Sequence, residues 1–121
     1  MTPSNILGKR ILLAEDEPSV RVSLRMALKR DGHSVTEAEN GREALERFAQ
    51  EPFDLVITDY SMPEMQGDEL AVKIRHVAPR QRIIMITAHA EGFTGSENPV
   101  DAILSKPFSF EMLRHTIAEL V

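Results

Sequence analysis

The 121-residue chain contains no cysteine, which excludes disulfides and any thiolate metal site. None of its apolar runs is longer than a strand, so no segment has the length that a membrane-spanning helix requires. Met1 to Lys9 lacks the apolar stretch of a signal peptide. Together these shortages predict a soluble, cytoplasmic protein with no membrane association. Positive charge is also scarce: 14 Lys and Arg stand against 19 Asp and Glu, a net charge of −5. Direct nucleic-acid binding, which needs a concentrated basic face, is therefore not expected. No repeat, low-complexity tract or linker divides the chain, and its length suits one domain over residues 1–121. With 42% hydrophobic residues, such a domain buries a core without covalent staples.

What is present is a hydrophobic pattern that switches between short continuous runs and helical spacing. Residues 10–15 read as a buried strand, and Pro18 then stands where a first helical turn tolerates proline. Val20, Leu24, Ala27 and Leu28 form a helical stripe that Asp31-Gly32 stops. Ser34 to Ala38 is a short strand, Asn40-Gly41 a turn, and Ala44, Leu45, Phe48 and Ala49 mark a second helix ended by Pro52. Phe53 to Thr58 is a third strand, residues 61–67 a loop, and Leu70, Ala71, Ile74 and Val77 a third helix. Strands at Arg82–Ile86 and Asp101–Leu104 follow, and Phe110, Leu113, Ile117 and Leu120 give a last helix. Repeated βα units with right-handed crossovers predict a doubly wound, three-layer α/β domain on a five-stranded parallel sheet. Between Ala88 and Val100 a further helix is due, but Gly92, Gly95, Asn98 and Pro99 intervene. A short or disordered fourth helix is expected there.

In an open parallel sheet the C-terminal strand ends share one edge, where ligands bind. Glu15-Asp16 close the first strand, Asp59 the third and Thr87 the fourth, and Lys106 follows the fifth. This arrangement converges carboxylates, a hydroxyl and an ammonium on one small pocket. Such a pocket can hold a divalent cation and accept a phosphoryl group.

These residues, with Met62-Pro63-Glu64-Met65-Gln66-Gly67 after Asp59 and the pair Lys106-Pro107, resemble the receiver domain of two-component response regulators. The resemblance runs over essentially the whole chain. It implies a flavodoxin-like sheet of strand order 2-1-3-4-5 and Asp59 as phosphoacceptor. It also implies Mg²⁺ held by Glu15, Asp16, Asp59 and the backbone carbonyl of Ser61. Thr87 and Lys106 would each contact a phosphoryl oxygen, and Lys106-Pro107 would be a cis peptide. The implied donor is a phosphohistidine on a histidine kinase or histidine phosphotransfer protein, and the output is binding to a downstream protein target. No separate turnover activity is implied.

Several positions depart from the family pattern or are left open by it. Glu15 stands where an aspartate is usual, and its longer arm still reaches a cation. Ile103 occupies the place of a frequent aromatic switch residue and cannot make that ring's inward swing as Thr87 engages phosphate. An ordering of residues 90–100 on phosphorylation is expected in its place. Ser61 and His89 lie two residues beyond Asp59 and Thr87, positions that tune phosphate loss to water. For His89, an exposed loop histidine is an equal alternative.

Met1-Thr2-Pro3 reads as a natural start, and no residues follow the last helix to form an output domain. A stand-alone receiver is expected. The alternatives are a receiver excised from a hybrid histidine kinase or larger regulator, and a phosphorylation-independent binding module. A metal-dependent phosphatase would want a second acid at Ser61. A flavin or nucleotide module would want a glycine-rich phosphate loop where Glu15-Asp16-Glu17 stand.

The remaining features read as structural. His33, His76 and His115 have no metal-ligand spacing and read as surface histidines. Glu37, Glu39, Glu43 and Glu46 read as a solvated acidic face. Arg21, Arg25, Lys29 and Arg30 read as a solvated basic face, with docking of an acidic partner as the alternative. The six methionines read as core filler plus the Met62/Met65 loop. Phe93 either anchors its loop or faces a partner.

Overall fold

In the computed structural model, which describes residues 8–88 and 99–121, strands and helices alternate. They are β1 (Arg10–Ala14), α1 (Pro18–Arg30), β2 (Ser34–Ala38), α2 (Gly41–Gln50), β3 (Leu55–Asp59), α3 (Gly67–Val77), β4 (Arg82–Thr87), β5 (Ala102–Ser105) and α4 (Phe110–Leu120). The sheet order is β2-β1-β3-β4-β5, with every pair parallel. The expected α/β class and flavodoxin-like order are thus present. Among the described residues there are four helices, none long and apolar enough to cross a membrane. The expected short or disordered helix between Ala88 and Val100, together with His89 and Phe93, falls outside the described residues.

β1, β3 and β4 read as continuous apolar runs because both faces of the sheet are covered. Ile11, Leu13, Leu55, Ile57, Ile84 and Ile86 point to one face, against Leu24 and Leu28 of α1 and Leu113 and Ile117 of α4. Leu12, Ala14, Val56, Ile83 and Met85 point to the other, against Ala44 of α2 and Leu70, Ala71 and Ile74 of α3. This is the period-2 alternation of strand side chains, apolar in both phases.

Local chemistry corrects several boundaries. Asn40-Gly41 is the start of α2 rather than a turn: the Asn40 side chain accepts the Glu43 N–H at 2.7 Å, and the Glu43 carboxylate accepts the Glu39 N–H at 3.1 Å. β3 begins at Leu55: at Asp54 the backbone N–H still donates to the Arg10 carbonyl at 2.8 Å, but the Arg10 N–H is taken by the Asp54 carboxylate at 2.8 Å. Asp101 likewise stands before β5, its carboxylate accepting the Ile83 N–H at 2.7 Å and pairing with Arg75 and Arg82.

Some of the readings made as structural fare differently in three dimensions. His33 is buried rather than on the surface: its Nδ1 accepts the Lys9 N–H at 3.3 Å, and burial lowers its pKa. Val77, the last residue of α3, is 69% exposed, and Phe110, the first of α4, is 46% exposed, so each stripe is left uncovered at a helix end. Met26 and Met112 are exposed, and among the described residues only Met62 and Met85 are buried, so methionine is not uniformly core. Arg21 and Arg25 are paired with Glu37 of β2, and Arg21 with Glu39. Neither charged face is therefore simply solvated.

Candidate functional site

Register builds the site. Ala14 of β1 is level with Thr58 of β3, Asp59 with Ile86 of β4, and Thr87 with Ser105 of β5. The next residue at each end therefore falls in one row along the C-terminal sheet edge, which brings Glu15, Asp59, Thr87 and Lys106 together. Backbone bonds carry the register past the strands: the Glu15 N–H donates to the Ala38 carbonyl at 3.0 Å, Tyr60 to Ile86 at 2.8 Å and Lys106 to Thr87 at 2.9 Å.

One carboxylate oxygen from each of Glu15, Asp16 and Asp59 lies within 4.8 Å of the others. Glu15 and Asp59 are buried, at 1% and 5% exposure, while Asp16 is open to solvent. The Lys106 ammonium stands 3.3 Å from each Asp59 oxygen, and the Lys106-Pro107 bond is cis, as the resemblance implied. Thr87 is buried at the same edge. Ser61 is exposed in the loop after β3, and Ile103 is half-buried against the core on the α2–α3 side.

Glu15 is the most informative member. Its Oε2 accepts the Glu17 N–H at 3.1 Å, and among the described residues its buried Oε1 has no hydrogen-bond partner. A buried anion short of partners is costly. Burial accordingly pushes the Glu15 carboxyl up to about 7, with the negative charges of Asp59 and Asp16 adding to the rise and the Glu17 N–H and Lys106 opposing it. A cation at the meeting point of the three carboxylates would satisfy the orphaned oxygen. An all-oxygen donor set of this kind suits a hard divalent ion.

The loop from Tyr60 to Gln66 is locked by two close backbone approaches. A Cβ on Gly67 would lie 2.2 Å from the Asp59 carbonyl oxygen, and one on Gly41 would lie 2.3 Å from the Met65 carbonyl oxygen. The Glu64 side chain, on a residue with φ of 68°, accepts bonds from Arg42 at 3.1 Å and Asn40 at 3.2 Å. Gly67→Ala is expected to destabilise the protein by about 2–3 kcal/mol, the usual cost of overpacking, because the contact is backbone and cannot yield. Urea unfolding at constant m-value is the check, and an unchanged midpoint would show that the loop gives way.

Two contributors escape sequence reasoning. Gly67 belongs to the matched loop motif, but only packing shows that it lets α3 start against the Asp59 peptide. Arg21 reads as solvated, yet it donates to the Glu15 carbonyl at 2.9 Å. A first-turn helix residue that follows a strand end folds back over that end, which was a usable signal. A groove of about 680 Å³ between α2 and α3, lined by Leu45, Phe48, Val72 and Val77 among others, holds none of the site residues.

Residues 11–118 match the response regulator receiver domain family. The response regulator receiver protein CpdR of Brucella abortus is 43% identical over 116 residues, covering 93% of this chain and 97% of that protein. The sensor kinase CckA of the same species is 37% identical over 92% of this chain, which spans only 12% of that protein. Among solved structures, the response regulator TrrA of Thermotoga maritima in complex with Mg²⁺–BeF superposes with a TM-score of 0.87 at 36% identity, covering 93% of this chain and 99% of that one. TrrA bound to the histidine kinase ThkA superposes with a TM-score of 0.85, covering 93% of this chain and 98% of that one. The apolar strand runs and the sheet order agree with the match along nearly the whole chain, which belongs to the receiver-domain family of two-component response regulators.

Proposed function

We propose that Asp59 accepts a phosphoryl group from a phosphohistidine of a histidine kinase or histidine phosphotransfer protein. The chain, in the cytoplasm and without contacting nucleic acid, then binds a downstream protein. The observation that carries this reading is the buried Asp59 carboxylate held 3.3 Å from the Lys106 ammonium beside Glu15 and Asp16. An Asp59 oxygen attacks phosphorus, the bond from phosphorus to the imidazole nitrogen breaks, and that nitrogen keeps the electron pair and takes a proton. The product is an acyl phosphate on Asp59.

Glu15, Asp16, Asp59 and the Ser61 carbonyl would hold Mg²⁺, which when bound offsets the repulsion between carboxylate and phosphoryl oxygens. Lys106 pairs with one phosphoryl oxygen, and the Thr87 hydroxyl bonds another. Ser61, two residues beyond Asp59, sets how fast water removes the group, and the same role is assigned to His89, which falls outside the described residues. Thr87, level with Ser105 of β5 and one strand repeat beyond the Met85–Ile103 pair, carries the change outward without an aromatic swing. No separate turnover is assigned, since the acceptor is the protein itself.

A stand-alone receiver is supported by alignment along 97% of CpdR. The match to a segment of CckA favours, as a second reading, a receiver embedded in a larger kinase. The test is the intact mass of the protein after incubation with Mg²⁺ and acetyl phosphate. One phosphoryl adduct is expected, and EDTA should prevent it. No adduct, together with no response to beryllofluoride, would make this a binding module that works without phosphate.

Glu15 sets a pH dependence. Below about 7 its carboxyl holds a proton in the metal-free fold, and a cation must displace it. Mg²⁺ affinity is expected to weaken by up to about tenfold per pH unit below 7 and to level off above. The same shift acts on stability: from the ordinary 4.5 up to about 7 the fold holds a proton that the unfolded chain releases. That contribution, on the order of 3 kcal/mol, is present at low pH and lost as pH rises through 7. His33, lowered by burial, acts in the opposite sense below its ordinary range, so calorimetric Mg²⁺ titration is the cleaner measurement. A pH-independent affinity would contradict the role of Glu15.

A further inference from the structure

We infer that Arg21 is a positioning residue for the cation site, acting through the peptide that joins its two adjacent acidic ligands; this rests on the reading that Glu15 and Asp16 hold Mg²⁺. The Arg21 side chain is only 13% exposed, and its three nitrogens point to three different acceptors. Nη1 donates to the Glu15 carbonyl at 2.9 Å. Nε lies 3.3 Å from Glu37 Oε1, and Nη2 lies 3.7 Å from Glu39 Oε1. Glu37 is itself held by Arg25 at 2.9 Å. The guanidinium thus spans from β1 to β2 and the turn that follows it.

The carbonyl it grips belongs to the Glu15–Asp16 peptide. That unit is planar, so fixing its oxygen sets the direction in which both acidic side chains leave the backbone. On the other side of Glu15, its N–H is fixed to the Ala38 carbonyl at 3.0 Å. Held at both ends, Glu15 offers a carboxylate oxygen to the acidic cluster, and its Oε1 has no hydrogen-bond partner among the described residues. A lysine cannot reproduce this grip, because a single ammonium has no planar fork to reach three acceptors at once.

Charge alone argues for the opposite effect. A guanidinium close to a cation site repels the cation, so removing it at fixed geometry would tighten binding. Positioning predicts weaker binding, and the sign of the change separates the two.

The experiment is a Mg²⁺ titration at pH 8 of wild type, Arg21→Met and Arg21→Lys. It is read by the fluorescence of Tyr60, which neighbours Asp59 and is the single tyrosine of a chain without tryptophan. Amide hydrogen exchange at Glu15 and Glu17 is followed in parallel on the metal-free proteins. Both variants are expected to bind Mg²⁺ about tenfold more weakly, the lower end for loss of an outer-shell partner. They should also exchange these two amides faster while the β4 amides stay protected. Arg21→Lys conserves charge, so weakening there reports geometry, and it carries the test if Arg21→Met does not fold. Binding by either folded variant as tight as wild type, or tighter, overturns the role of Arg21. A wild type that itself fails to bind Mg²⁺ overturns the underlying reading and with it this one.

Discussion

Asp59→Asn is expected to gain no phosphoryl group under conditions where the wild type is modified to completion. Asparagine keeps the shape of the side chain but has no anionic oxygen to attack phosphorus. No neighbour can take over. Glu15 is buried with one oxygen committed to the Glu17 N–H, and Asp16 is exposed, while the Lys106 ammonium is placed 3.3 Å from the Asp59 oxygens. The substitution also removes one of the charges that raise the Glu15 pKa, so Glu15 should ionise at lower pH even as Mg²⁺ loses a ligand. Intact mass reads the loss directly. Borohydride reduction of the wild-type adduct, which converts an acyl phosphate to an alcohol, then marks the modified residue for peptide mapping. An adduct on the variant, or a mark at Asp16 or Asp54, would move the acceptor elsewhere.

Lys106→Met is expected to slow phosphorylation by about 100-fold without abolishing it, the scale on which removal of one preorganised electrostatic donor acts. The Lys106 side chain is 37% exposed, whereas the Asp59 side chain it faces is nearly covered. Its field therefore acts on the acceptor through a partly water-excluded path, and solvent replaces it only in part. Mg²⁺ affinity should move the other way and tighten, because a positive charge leaves a cluster that binds a cation. Time courses of adduct formation, with a Mg²⁺ titration on the same variant, test both halves. An unchanged rate would assign Lys106 to holding the unphosphorylated fold alone. A parallel loss of Mg²⁺ affinity would mean that the substitution disturbs the edge itself.

The site was legible to the extent that its chemistry is local. Glu15-Asp16, Asp59, Thr87 and Lys106 each sit one step beyond an apolar run, and a parallel sheet collects such positions on one edge whatever lies between them. Legibility was poorer where an outcome depends on which element packs against which. His33 looks like any polar residue after a helix stop, yet it is buried in the fold, with its Nδ1 accepting the Lys9 N–H. Val77 and Phe110 satisfy their helical stripes, yet no neighbour covers them fully. Glu37 of β2, Glu39 just beyond it and the arginines of α1 look like two independent charged surfaces until the helix is laid along the edge strand.

By itself, the sequence determined the α/β class, the positions of the five strands and the residue types at the active edge, because hydrophobic period and strand-end chemistry are properties of short segments. The tertiary structure alone decided that Glu15 is buried with an oxygen unsatisfied, that Gly67 must lack a side chain to pass the Asp59 carbonyl, and that Arg21 grips the peptide between two acidic residues. Each of those depends on how the folded backbone brings particular atoms within a few ångströms, and hydrophobic period and strand-end chemistry do not encode that distance.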